Sequence, residues 1–182
     1  MKKVNCLLIS LTVLLLTSCS TATPEMCYSV AVLNTNMIYG FADEGMLNEL
    51  ASPPVKSDGT KDGYMAMTRK EVLESKIAFI EKAFENVKAL KKQDDNAEML
   101  EASIAAYQFV LPVYKSDYMR LAAMHDAGAA DSLINEQAKN IHKKNYSTYE
   151  KLSSRLFEAG KKYADKNNIK VNYVNPLLFR NQ

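Results

Sequence analysis

The placement of glycine and proline constrains this chain more than any other feature of its sequence. Neither residue occurs between Tyr64 and Leu111, nor between Ala129 and Ala159. Inside a helix glycine costs about 1 kcal/mol and proline about 3, so uninterrupted stretches of this length can carry long helices. The apolar spacing agrees. Thr68-Arg69-Lys70-Glu71 reads as a capping box, and Leu73, Ile77, Ile80, Phe84 and Val87 follow at 4-3-4-3 intervals. Glu81, Lys82, Glu85 and Lys88 fill the opposite face, and Lys91 and Lys92 suit the negative pole of the helix dipole.

Asp94, Asp95 and Asn96 offer N-caps for a further helix running to about Asp126. Its seam is Leu100, Ile104, Tyr107, Leu111, Tyr114, Tyr118 and Leu121, and Pro112 within it predicts a kink. Gly128 ends that helix, and Asp131 or Ser132 caps the next. Ile134, Ala138 and Ile141 start the last stripe, which Tyr149, Leu152, Leu156, Ala159 and Tyr163 continue, with Asn145 where the phase slips. Asn167-Asn168 suits its left-handed end.

Before these helices, Pro24 to about Leu50 shows Met26, Val30, Leu33 and Met37 on one helical face, with a bend or break expected near Gly40 and Gly45. Residues 52–67 read as loop, given Pro53-Pro54, Asp58-Gly59 and Asp62-Gly63. After them, Ile169, Val171 and Tyr173 alternate with Lys170 and Asn172, and Leu177-Leu178-Phe179 follows a turn at Asn175-Pro176. The expected fold is all-α: an up-and-down bundle of three to four long amphipathic helices over 25–182, with an extended tail packing back on it. A coiled-coil rod is disfavoured because the seams break at Pro112 and Asn145.

The first eighteen residues stand apart. Lys2 and Lys3 precede an apolar run from Cys6 to Leu16. The run is shorter than the ~20 residues of a permanent span and suits the core of a signal peptide. Leu16-Thr17-Ser18-Cys19 resembles the lipobox of bacterial lipoproteins: an aliphatic residue, two small residues, then cysteine. The resemblance implies thioether lipidation of Cys19, cleavage before it and acylation of the new amino terminus. Residues 19–24 would then be a lipid-anchored linker. Ser20 stands where an Asp tends to retain such proteins in the inner membrane, so the resemblance points to the outer membrane of a Gram-negative bacterium. No acid precedes Glu25 after the cysteine, which leaves periplasmic and surface-facing orientations both open. An ordinary secretory signal and an uncleaved anchor are the alternatives.

Charge and composition exclude several function classes. Hydrophobic residues make up 47% and charged residues 24%, which excludes a disordered chain. The formal charge is +2, with 23 basic and 21 acidic side chains. Lys2 and Lys3 account for the surplus, so the mature domain is neutral and nucleic acid is not an expected partner. Three cysteines are too few for a disulfide scaffold. His125 and His142 have no ligand spacing around them, and no Glu-x-x-His or His-Glu-x-x-His occurs, so no metal and no other cofactor is expected. Gly-x-Ser-x-Gly and Ser-x-x-Lys are also missing, and Cys27 reads better as a small buried hydrophobe than as a nucleophile. The expectation is a protein without catalytic activity.

Ten of the sixteen aromatics are tyrosine. Tyr107, Tyr114 and Tyr118 share one seam, while Asn145 and Tyr149 lie on the next helix. Two readings follow: a polar-lined space for a small amphipathic ligand, or core packing with hydroxyls at the bundle edge. Core packing is preferred.

The stretch from Thr68 to Ile169 also resembles a set of uncharacterised helical surface lipoproteins of bacteria, through the capped helix, the tyrosine-rich helix and the ending Ala159-Gly160-Lys161-Lys162-Tyr163-Ala164-Asp165-Lys166-Asn167-Asn168. Those proteins tend to end in Ala-Gln-x-x-aromatic-Ala-x-Lys-x-Asn, and Gly160 departs from that pattern. The resemblance implies a fold and a location but no site residues. The expected role is a non-catalytic, lipid-anchored bundle of the cell envelope that binds an envelope protein partner or is structural, with a small-ligand carrier or sensor using the tyrosine-lined space as the alternative.

Overall fold

A computed structural model describes residues 22–171, most of them helical. Cys19 and the segment from Asn172 onward, including the expected Asn175-Pro176 turn, lie outside the described residues.

The chain enters through α1 (Pro24–Ala31), where the Thr23 hydroxyl accepts from the Met26 N–H at 3.2 Å and Pro24 occupies the first turn. A 3₁₀ turn follows at Leu33–Ile38, then α2 (Glu44–Ala51). This corrects the expected apolar face. Met26 and Leu33 are 57% and 45% exposed, whereas Cys27, Tyr28, Ala31, Ile38, Phe41 and Ala42 are buried. A 3₁₀ turn has three residues per turn, so a 3.6-residue stripe carried across it selects the wrong side chains. The break near the glycines is a tight crossing. Gly40 lies at φ 77°, and a Cβ there would meet the Gly45 Cα at 3.1 Å.

Residues 52–67 are not all loop. They carry a two-stranded antiparallel hairpin, β1 (Val55–Ser57) and β2 (Tyr64–Ala66), with Lys56 opposite Met65. Asp58 closes its turn by accepting from the Thr60 N–H at 2.9 Å and the Thr60 hydroxyl at 2.7 Å. Its side chains are largely exposed, and Lys56 ties it to the body through Glu71.

Helix α3 (Arg69–Lys88) opens with the complete capping box. The Thr68 hydroxyl accepts from the Glu71 N–H at 3.1 Å, and the Glu71 carboxylate accepts from the Thr68 N–H at 2.8 Å. Asp126 satisfies two more free donors of that turn, the N–H groups of Arg69 and Lys70, at 2.9 and 3.1 Å. Thr68→Ala is expected to lower stability by about 1 kcal/mol, read from the urea midpoint.

Helix α4 (Ala97–Val113), a π segment (Tyr114–Tyr118) and α5 (Met119–Asp126) follow one another without a break. Pro112 is accommodated on the exposed side. The helix widens just after it, with the Met119 N–H reaching the Tyr114 carbonyl and the Ser116 hydroxyl donating to the Pro112 carbonyl at 2.7 Å. Helix α4 buries Met99, Leu100, Ala102, Ser103, Ala106, Tyr107, Val110 and Leu111, which spread over about half of its circumference. It therefore packs centrally, with α3 and α6 both against it.

Helix α6 (Asp131–Lys166) is continuous through Asn145, whose amide donates to the Ile141 carbonyl at 2.8 Å. It ends in a Schellman motif. Asn168 sits at φ 55°, and the Ile169 N–H returns to the Ala164 carbonyl at 2.9 Å. Gly160 lets α1 approach α6, since a Cβ there would meet Val32 Cγ2 at 3.0 Å. No helix among the described residues is long and apolar enough to cross a membrane.

Candidate functional site: an aromatic cluster and an uncharged groove

The tyrosines singled out in the sequence divide into two groups. Tyr114 and Tyr118, on the π segment, stack at a centroid distance of 5.1 Å. Phe41, from the turn before α2, packs against both of them and against Tyr149, at 5.3, 5.9 and 5.1 Å. It is fully buried and also meets Phe109 edge-on at 5.9 Å. Tyr107 lies farther along α4 and packs on Phe84 of α3 at 5.8 Å. The space among Tyr114, Tyr118 and Tyr149 is thus filled by the Phe41 ring. Asn145 bonds its own helix and has no hydrogen bond to these tyrosines.

The hydroxyls have different fates. Tyr118 accepts from the Ala42 N–H at 2.8 Å, and Tyr149 donates to the Ile38 carbonyl at 2.8 Å. His142 Nδ1 lies 2.7 Å from the Ala42 carbonyl, and its ring stacks on Tyr146. These three contacts clamp the 38–42 turn, in which Ala42 is held at φ 56°. Holding a residue other than glycine there costs on the order of 1–2 kcal/mol, which the surrounding contacts must offset. Tyr107 and Tyr114, with Ser103, bury hydroxyls that have no hydrogen-bond partner among the described residues. Burial raises the pKa of Tyr107, Tyr114, Tyr118 and Tyr149, so all four stay neutral at ordinary pH.

The other candidates for chemistry are scattered. Cys27 is buried, with the Asn96 amide 3.6 Å from its sulfur and the Tyr163 hydroxyl facing it. His125 sits near Arg69, Asp126 and Asp131, and burial followed by Arg69 holds its pKa below the usual histidine value. Among the described residues no three His, Cys, Asp or Glu side chains gather closely enough to hold a metal ion. No protein-family model matches this chain, and neither a curated protein nor a solved structure matches it. The geometry of the site therefore carries the functional argument.

That geometry includes an opening which sequence reasoning missed. A groove of about 370 Å³ runs between the α1–3₁₀ segment and α6. Val32, Ile38, Ala106 and Leu156 give it apolar walls, and Tyr28, Tyr39, Tyr149 and Phe157 add rings. Thr35, Asn36 and Ser153 are among its polar side chains, and among the described residues no charged one lines it. Tyr149 belongs to both features: its ring meets Phe41, and the residue also lines the groove. The available signal was the burial partner of α1, which periodicity within α1 alone does not reveal.

Proposed function

We propose that this chain is a lipid-anchored, non-catalytic protein of the cell envelope whose helical domain, an up-and-down bundle with an extended tail, binds a protein partner. The observation that carries the partner-binding part is the uncharged groove between the α1–3₁₀ segment and α6. An apolar trough that is open along one side suits side chains presented by another polypeptide. The Leu16-Thr17-Ser18-Cys19 sequence supports attachment through Cys19, at the outer membrane of a Gram-negative bacterium and facing either the periplasm or the surface. The scatter of Cys27, His125 and His142 supports a role without catalysis.

Crosslinking in native membranes followed by capture of the chain tests this reading. A discrete crosslinked partner is expected, and Phe157→Asp should lower its yield at least tenfold, because a rim carboxylate would have to be desolvated on docking. A chain that remains partnerless would contradict the proposal.

A second reading has one observation in its favour. Tyr28, Tyr39 and Tyr149 place three aromatic residues along the same groove, an arrangement suited to a small, uncharged amphipathic ligand. This moves the ligand-carrier idea from the Tyr107–Tyr114–Tyr118 seam to the groove. Mass spectrometry of small molecules that copurify with the native protein distinguishes a carrier from a protein-binding module.

A further inference from the structure

Charge is spread unevenly over the described residues. Residues 26–42 hold no charged side chain, the longest such run in 22–171. The next longest, 102–114, is most of α4, which packs between α3 and α6. Residues 26–42 lie on the outside: Met26, Leu33 and Tyr39 are 57%, 45% and 65% exposed, and Asn36 is exposed as well. Burial accounts for an uncharged α4 but not for an uncharged strip open to solvent. The outer faces of α3 and α6 are charged by contrast, with Glu74, Lys82, Glu85, Lys143, Lys144 and Lys151 exposed.

The strip is long and follows one side of the bundle. Val32 packs at Gly160, the Ile38 carbonyl meets Tyr149 and the Ala42 carbonyl meets His142, so 32–42 runs antiparallel to α6 along about 27 Å of its axis. Pro24, where α1 begins, is five residues from Cys19, at most about 18 Å of chain. A bundle standing on that end would press charge against the bilayer. Glu25, Lys91, Lys92, Asp94 and Lys166 are exposed there, at the end where the Asn96 amide meets Cys27. Those groups resist leaving water, whereas methionine, leucine and tyrosine side chains gain by entering an interface.

We infer that the outer side of residues 26–42 rests on the interfacial region of the bilayer, with Met26, Leu33 and Tyr39 inserted at headgroup depth. Tyrosine suits that depth, since its ring is apolar and its hydroxyl stays hydrated. This orientation presupposes the attachment through Cys19 proposed above and adds to it, because attachment alone leaves the domain free to stand upright. Leu33 and Tyr39 also line the groove, so the groove opens at the bilayer surface and a partner reaches it along the membrane.

The sequence contains no tryptophan, so a single one reports on its own position. Leu33→Trp and Tyr39→Trp are made in the full-length chain, purified from its native membrane and reconstituted into vesicles of phosphatidylethanolamine and phosphatidylglycerol, with or without bromine on the acyl chains. Leu133→Trp is the control, 52% exposed near the start of α6 and nine residues before His142, where the strip ends. All three positions are exposed, so helical circular dichroism should not change. In floated vesicles, brominated lipid should quench the probes at 33 and 39 roughly twofold or more and leave the probe at 133 unchanged. Unquenched probes at 33 and 39 in chains that float, or equal quenching at 133, would overturn the inference and leave attachment standing. Chains that fail to float would overturn attachment and the inference with it.

Discussion

Phe41→Ala is expected to cost about 3–5 kcal/mol of folding stability, the range for deleting a fully buried aromatic side chain. Phe41 is 0% exposed and touches Phe109, Tyr114, Tyr118 and Tyr149. These rings come from the α4–π rod and from α6, so they cannot all follow a collapse into the space left behind. The loss combines burial, edge-to-face ring contacts and a residual cavity. Urea unfolding of the variant measures it. A loss below about 1 kcal/mol would mean that Phe41 is peripheral and the aromatic cluster is not the centre of the core.

The hydroxyls of the same cluster give opposite expectations. Tyr118→Phe leaves the buried Ala42 N–H without an acceptor and should cost about 1–3 kcal/mol. Tyr114→Phe removes a buried hydroxyl that has no partner, and stability should stay level or rise by about 1 kcal/mol. Equal losses in the two variants would show that the Tyr114 hydroxyl has a partner. That result would favour a polar interior network over the packed reading.

Cys19→Ser is expected to move the chain from the membrane fraction to the soluble fraction while its helical content stays the same. Each buried CH₂ contributes about 0.8 kcal/mol to membrane binding, and one acyl chain alone holds a protein only marginally. Two or three chains on one cysteine make release slow, and among the described residues no helix is long and apolar enough to cross a membrane. Fractionation of cells expressing the variant reads the outcome directly. If the variant stays with the membrane at the level of the parent, attachment does not run through Cys19.

Local signals carried the parts of the fold that local physics decides. The Thr68–Glu71 capping box, the seam from Leu100 to Leu121 and the Asn168 end of α6 depend on residues within a turn of one another. The misses lie where distant segments meet. Phe41 sits beside Gly40 in what reads as a helix break, and its burial depends on rings contributed by α4, the π segment and α6. The Ala42–Tyr118 hydrogen bond joins residues 76 apart in sequence. The buried face of the first segment runs through Cys27, Tyr28, Ala31 and Ile38, the side that meets the rest of the bundle. The sequence singled out the tyrosines, but periodicity shows which face turns inward and not what fills the space opposite. That space holds Phe41, and Tyr149, which meets Phe41, also lines the groove.

The most direct test of the central claim is the mass of the amino-terminal peptide of the chain purified from its native membrane. The account predicts a peptide that begins at Cys19 and carries a diacylglyceryl thioether with an acylated α-amino group. An unmodified cysteine, or a peptide that still contains residues 1–18, would contradict it.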